Sequence, residues 1–223
     1  MRFKITVLLL FAHYFSSAQD LNTNLYRRNE AAEIANKAIE NIQQQNYDEA
    51  IPLLTKAISI DSTLRKPYLY LYTLASEKEE FRDSAMMLLQ KAKRIFKQDD
   101  EICYYIGEIY KMQGDLNRAM MEYSMAIAYS KMNGSDFYLV PHYYFNRATI
   151  SLKKNRFSSA VVDYSYAIQL KPEYTQAYIN RGISLFQSGK KEDACSDWQS
   201  AMDFGSDAAK QYWERNCQEK EIN

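Results

Sequence analysis

The sequence predicts an all-α protein, a stack of helix-turn-helix units closed by a C-terminal capping helix. Three observations carry this expectation. Alanines stand at Ala50, Ala85, Ala119, Ala160 and Ala194, at separations of 35, 34, 41 and 34 residues, and each is followed seven residues later by Ala57, Ala92, Ala126, Ala167 or Ala201. A period of that length marks a repeat architecture. Around the alanines bulky and small residues alternate at offsets of three and four, twice per period, so each unit holds two amphipathic helices. Glycine and proline, at 6 and 4 of 223 residues, are too few for a chain of many short strands.

Taken in order, residues 1–18 carry Arg2 and Lys4, an apolar run from Ile5 to Phe15, then Ser16-Ser17-Ala18. This is the pattern of a secretory signal peptide. The run is shorter than the ~20 residues a bilayer crossing needs. An uncleaved anchor is the alternative. Cleavage after Ala18 leaves a mature chain without a membrane span, exported to the periplasm or secreted. Residues 19–30 lead in, and the repeats are expected at 31–64, 66–99, 100–133, 141–174 and 175–208. An insertion at 134–140 separates the third from the fourth. It either lengthens a helix or forms a loop in a groove. Residues 207–218 form the capping helix.

The small residues have a mechanical reason. Ala38, Thr73, Gly107, Ala148 and Gly182 recur on the first helix of each repeat, against Leu54, Leu89, Tyr123, Tyr164 and Trp198 on the second. Helices crossing 8 to 10 Å apart leave room for only small side chains at the contact. Between the helices stand turn residues, Gln45-Asn46, Gly114-Asp115, Asn155-Arg156 and Ser188-Gly189. Asp61-Ser62, Lys171-Pro172 and Gly205-Ser206 end the second helices.

Repeat 3 reads Cys103, Ile106, Gly107, Tyr110, Gly114, Leu116, Ala119, Tyr123 and Ala126. Repeat 4 reads Tyr144, Ala148, Phe157, Ala160, Tyr164, Ala167 and Pro172, and repeat 5 reads Tyr178, Gly182, Leu185, Gly189, Ala194, Trp198 and Ala201. With these residues the chain resembles the tetratricopeptide repeat family over about residues 31–208. The resemblance implies a right-handed α-solenoid whose first helices line a concave groove. Repeats 1 and 2 depart from the pattern at Asn41, Thr73 and Arg82, with Phe81 standing in through a shifted turn.

The cysteines are Cys103, Cys195 and Cys217. If the helices flanking Phe204-Gly205-Ser206 fold back antiparallel, Ser206 is the pivot, equidistant from Cys195 and Cys217. That places the pair at one height, within reach of a disulfide. A pair of buried thiols is the alternative. Cys103 is expected in the core.

Charge and composition exclude several functions. Basic and acidic residues balance at 28 each, which argues against a nucleic-acid partner. His142 is the one histidine left once His13 departs with the signal, and no C-x-x-C occurs, so neither a catalytic triad nor a metal site is expected. No cofactor is expected, and the protein reads as a non-enzyme. Binding is the better expectation. The residues one place beyond the packed column of each first helix give a partner groove of Tyr70, Leu74, Tyr104, Glu108, Lys111, Phe145, Leu152, Ile179, Ile183 and Phe186, suited to a peptide segment or partner helix. The competing reading packs these aromatics between repeats. Arg147 and Arg181, each after an asparagine, are expected to bond a carboxylate rather than read a ligand. As an alternative function, the protein is a structural subunit of an envelope assembly, packing through its convex face.

Overall fold

The computed structural model describes residues 2–134 and 137–218, with side chains from Thr23 onward. The expected signal segment, 1–18, therefore lies outside the residues described in full, as do residues 135 and 136 of the insertion. Among the described residues every regular element is helical. The chain divides into two compact bodies, Met1–Lys97 and Gln98–Asn223.

In the first body, α1 (Arg2–Gln43) pairs with α2 (Tyr47–Ile60). Repeat 2 follows in a broken form. Its first helix is two pieces, α3 (Lys66–Leu69) and α4 (Leu71–Glu77), and a 3-10 turn, Glu79–Phe81, leads into α5 (Arg82–Ile95). The turn residue explains the difference. In repeats 1, 3, 4 and 5 the chain reverses through a left-handed residue: Gln45 (φ 63°), Gly114 (81°), Asn155 (55°) and Gly189 (79°). Only glycine adopts that conformation freely, and asparagine tolerates it. Repeat 2 has Glu80 there and takes the 3-10 path instead. Arg82 steadies this turn by donating from Nε to the carbonyl of Ala75 at 3.3 Å. Phe81 is half-buried, as the shifted turn requires.

The second body holds three hairpins: α6 (Asp100–Met112) with α7 (Leu116–Asn133), α8 (Val140–Lys153) with α9 (Phe157–Leu170), and α10 (Thr175–Gln187) with α11 (Lys191–Asp203). The cap, α12 (Asp207–Asn216), packs on α11. Asp99, Asp115 and Ser206 cap α6, α7 and α12 by accepting from the amides of Ile102, Arg118 and Ala209, satisfying donors the helix itself leaves open. The extra length between repeats 3 and 4 goes partly into helix. α7 has 18 residues where α9 has 14, and Gly134 at φ 113° ends it.

All ten repeat alanines are fully buried. The crossings are as tight as the pattern requires. A methyl on Gly107 would lie 2.7 Å from the Tyr123 ring, and one on Gly182 2.5 Å from the Trp198 indole nitrogen. Cys103 is buried in the core of the second body. Cys195 and Cys217 are joined in a disulfide with Cα atoms 5.7 Å apart. The bridge ties α11 to the end of α12, where Trp213 packs with Leu185, Ala194 and Trp198.

Candidate partner-binding groove

The groove residues expected from the sequence fall in both bodies. In the first, Leu74 is fully buried and Tyr70 half-buried, at the break between α3 and α4. In the second, α6, α8 and α10 supply the rest. The open aromatic stripe gives way here to a packed one. Tyr104, Glu108 and Ile179 are buried, while Lys111, Phe145, Leu152 and Ile183 are half-buried and Phe186 is exposed. The cause is aromatic crowding. The Tyr104 ring lies 4.9 Å from that of Tyr143 and 6.0 Å from that of Tyr123. Phe145 stacks on Tyr174 at 4.8 Å. Ile179 turns into a cluster with Ala201 and Ala209.

At the centre of this face lies a buried carboxylate. Glu108 Oε1 accepts from the Tyr123 hydroxyl at 2.5 Å, from Asn146 Nδ2 at 2.8 Å and from Lys111 Nζ at 2.8 Å. Its Oε2 accepts from Lys111 at 2.7 Å, and Lys111 also donates to Asn146 Oδ1 at 3.3 Å. An unpaired buried charge would be costly, and these bonds offset that cost. Helices α6, α7 and α8 are thereby tied at one point. The same register recurs in repeat 4, where the Tyr164 hydroxyl meets Thr149 Oγ1 at 3.1 Å, and burial pushes the Tyr164 pKa up to about 12. In repeat 5 Trp198 replaces the tyrosine and donates to the carbonyl of Ile179 at 3.2 Å. Its partner position, Ile183, then needs no polar group.

His142 stands beside this node, with Nδ1 3.1 Å from the Tyr174 hydroxyl. Burial first, then the nearby Lys171 charge, holds its pKa below the ordinary imidazole value. It is therefore neutral at physiological pH. Burial likewise raises the Tyr174 pKa. Asn146, His142 and Tyr174 are the site residues that the column argument passed over. The recurrence of Asn before Arg147 and Arg181 was the available signal for the first.

The arginines are structural. Arg147 binds Asp163 through two bonds of 2.7 Å and also donates to Ser124. Arg181 repeats this with Asp197, at 2.8 and 2.6 Å, and with Ser165. Each fork thus ties a first helix to two second helices.

What remains accessible is a row of repeat-equivalent positions on α8 and α10: Thr149 and Ile183, then Leu152 and Phe186, with exposed Lys153 beside them. A surface with this mix of apolar contact and cationic rim suits an extended segment or an amphipathic helix. Among the described residues no cluster of His, Cys, Asp and Glu could hold a metal ion, and no helix is long and apolar enough to cross a membrane.

Comparison with known proteins agrees with this architecture. The tetratricopeptide repeat family model matches residues 34–64. No curated protein matches the chain. Among solved structures, MamA is similar at 18% identity and a TM-score of 0.67, over 81% of this chain and 94% of its own. YrrB, a tetratricopeptide protein with an unusual peptide-binding site, is similar at 15% identity and a TM-score of 0.65, over 90% and 97%. PilF of Pseudomonas aeruginosa is similar at 15% identity and a TM-score of 0.68, over 84% and 86%. These likenesses show the fold: a solenoid of tetratricopeptide-like helical hairpins.

Proposed function

We propose that the protein is an exported, non-catalytic scaffold that binds a peptide segment or partner helix on the first-helix face of its second body. The observation that carries this reading is the row Leu152, Ile183 and Phe186, which stays accessible at repeat-equivalent positions although the neighbouring aromatics are packed. α8 is paired with α9, and the Arg181 fork ties α10 to Ser165 on that same α9, so the two helices that carry the row are held in a fixed relation and little ordering is lost on binding. Export is supported by the signal pattern at 1–18 and by the disulfide, which belongs to an oxidising compartment.

The test is photocrosslinking in the native host, with a benzophenone amino acid at position 152 or 186 and a control at exposed Glu192 on α11. A discrete adduct from 152 and 186 that is absent from 192 supports the groove. Adducts from 192 alone would instead favour packing of the convex face in an envelope assembly.

A further inference from the structure

The outer face of the second helices carries apolar surface that the groove does not use. On α9, Val162, Tyr166 and Leu170 follow one another at helical offsets of four, and they are 54%, 47% and 38% exposed. Their repeat equivalents on α7, 41 residues earlier, are Met121, Met125 and Tyr129. Met121 is 54% exposed and the other two are half-buried. Met132, one turn further, is exposed as well. Arg147 of α8 links these two helices, since one guanidinium bonds Ser124 on α7 and Asp163 on α9. The strip has an edge. On α11 the equivalents of Val162 and Tyr166 are Ser196 and Ser200.

The middle of the strip is also free of charge. Asp163 is the one charged residue of α9, and it is buried against Arg147. On α7, Glu122 is buried, and the exposed charges Arg118 and Lys131 stand towards its two ends. An exposed helix without an outward charge over its whole length is unusual in water, where such faces are ordinarily polar.

We propose that this strip is a self-association surface, pairing two copies of the chain through α7 and α9. The absence of charge in its middle is what lets a second copy occupy it. A two-fold interface sets one patch against an identical one. A patch of one sign would repel itself, whereas an uncharged apolar patch is its own complement. The exposed parts of the strip come to about 500 Å² per copy, so a pair removes at most about 1,000 Å² from water, the size of weak, transient interfaces. The dimer is therefore expected to be reversible, and its strength is what the titration below reads. The methionines suit such a contact, because their unbranched side chains adapt to a facing copy.

Sedimentation velocity of the full exported chain, disulfide intact, from 1 to 300 μM tests the proposal. The expected result is a concentration-dependent shift from monomer to dimer that Val162→Glu moves to at least tenfold higher concentration. Met121→Glu, on the other helix, should do the same. Both side chains are exposed, so circular dichroism and melting should match the wild type. Should one variant fail to fold, the other keeps the test open. Phe186→Glu, in the groove, should dimerise like the wild type. A monomer at every concentration would overturn the proposal. So would a dimer that both strip variants leave intact, or one that Phe186→Glu abolishes.

Discussion

Gly182 shows how a single atom fixes a helix crossing. Alanine is the better helix former by about 1 kcal/mol, yet a methyl here would stand 2.5 Å from the indole nitrogen of Trp198. The indole cannot retreat, because it is buried and bonded to the carbonyl of Ile179. Overpacking of this kind costs about 1–3 kcal/mol, and the strained hydrogen bond adds to that. Gly182→Ala is therefore expected to destabilise the second body by about 1–2 kcal/mol in urea unfolding. His142 gives a pH dependence at the same scale. Its folded pKa lies below the unfolded value, so the unfolded chain takes up the proton first as pH falls. Its contribution to stability is complete above the ordinary imidazole pKa and is lost as pH falls through the folded pKa. Thermal melts between pH 7.5 and 5 should fall more steeply for the wild type than for His142→Asn.

At the scale of elements, the cap depends on its covalent tie. Only Ala209 of α12 is fully buried, and Tyr212 and Trp213 cover Trp198 from the surface while staying partly open to water, so the helix's own apolar contacts are modest beside the covalent tie. The Cys195–Cys217 bridge closes a loop of 22 residues, which in the loop-entropy account contributes about 3 kcal/mol. Reduction should raise amide exchange across Asp207–Asn216 by two orders of magnitude or more while leaving α6 to α9 protected. Equal loosening of all helices would contradict this account. The forks between second helices are the other element-level device. Asp197→Ala strands the half-buried Arg181 guanidinium, which retains some access to water. The cost should therefore fall below the 3–5 kcal/mol of a fully buried pair, at about 2 kcal/mol by denaturant titration.

Across the whole molecule, the legible features were those with a period. Alanine spacing announced the crossings, Ser206 at the midpoint of two cysteines announced the bridge, and the turn residues announced four of five hairpins. Repeat 2 was harder to read because Glu80 gives no left-handed turn, and its first helix breaks at Tyr70 without a glycine or proline at that position. The site was less legible than the fold. Helical offsets say which side of a helix a residue takes, but not whether a neighbouring ring covers it. Tyr104 has the offset of a groove residue and is covered by Tyr143 from the next repeat. Glu108 has it too and closes a buried node with Asn146, a contact of 38 residues' separation that no local pattern encodes. The positions that stay open, Leu152 and Phe186, lie at the far ends of their helices, beyond that crowding.

The most direct test of the groove is calorimetric titration of the partner captured by crosslinking against the wild type and Leu152→Ser/Phe186→Ser. The account predicts at least a tenfold rise in Kd with a Tm within about 2 °C, since neither side chain is fully buried. An unchanged Kd, or a loss of binding that only follows a loss of folding, would contradict it.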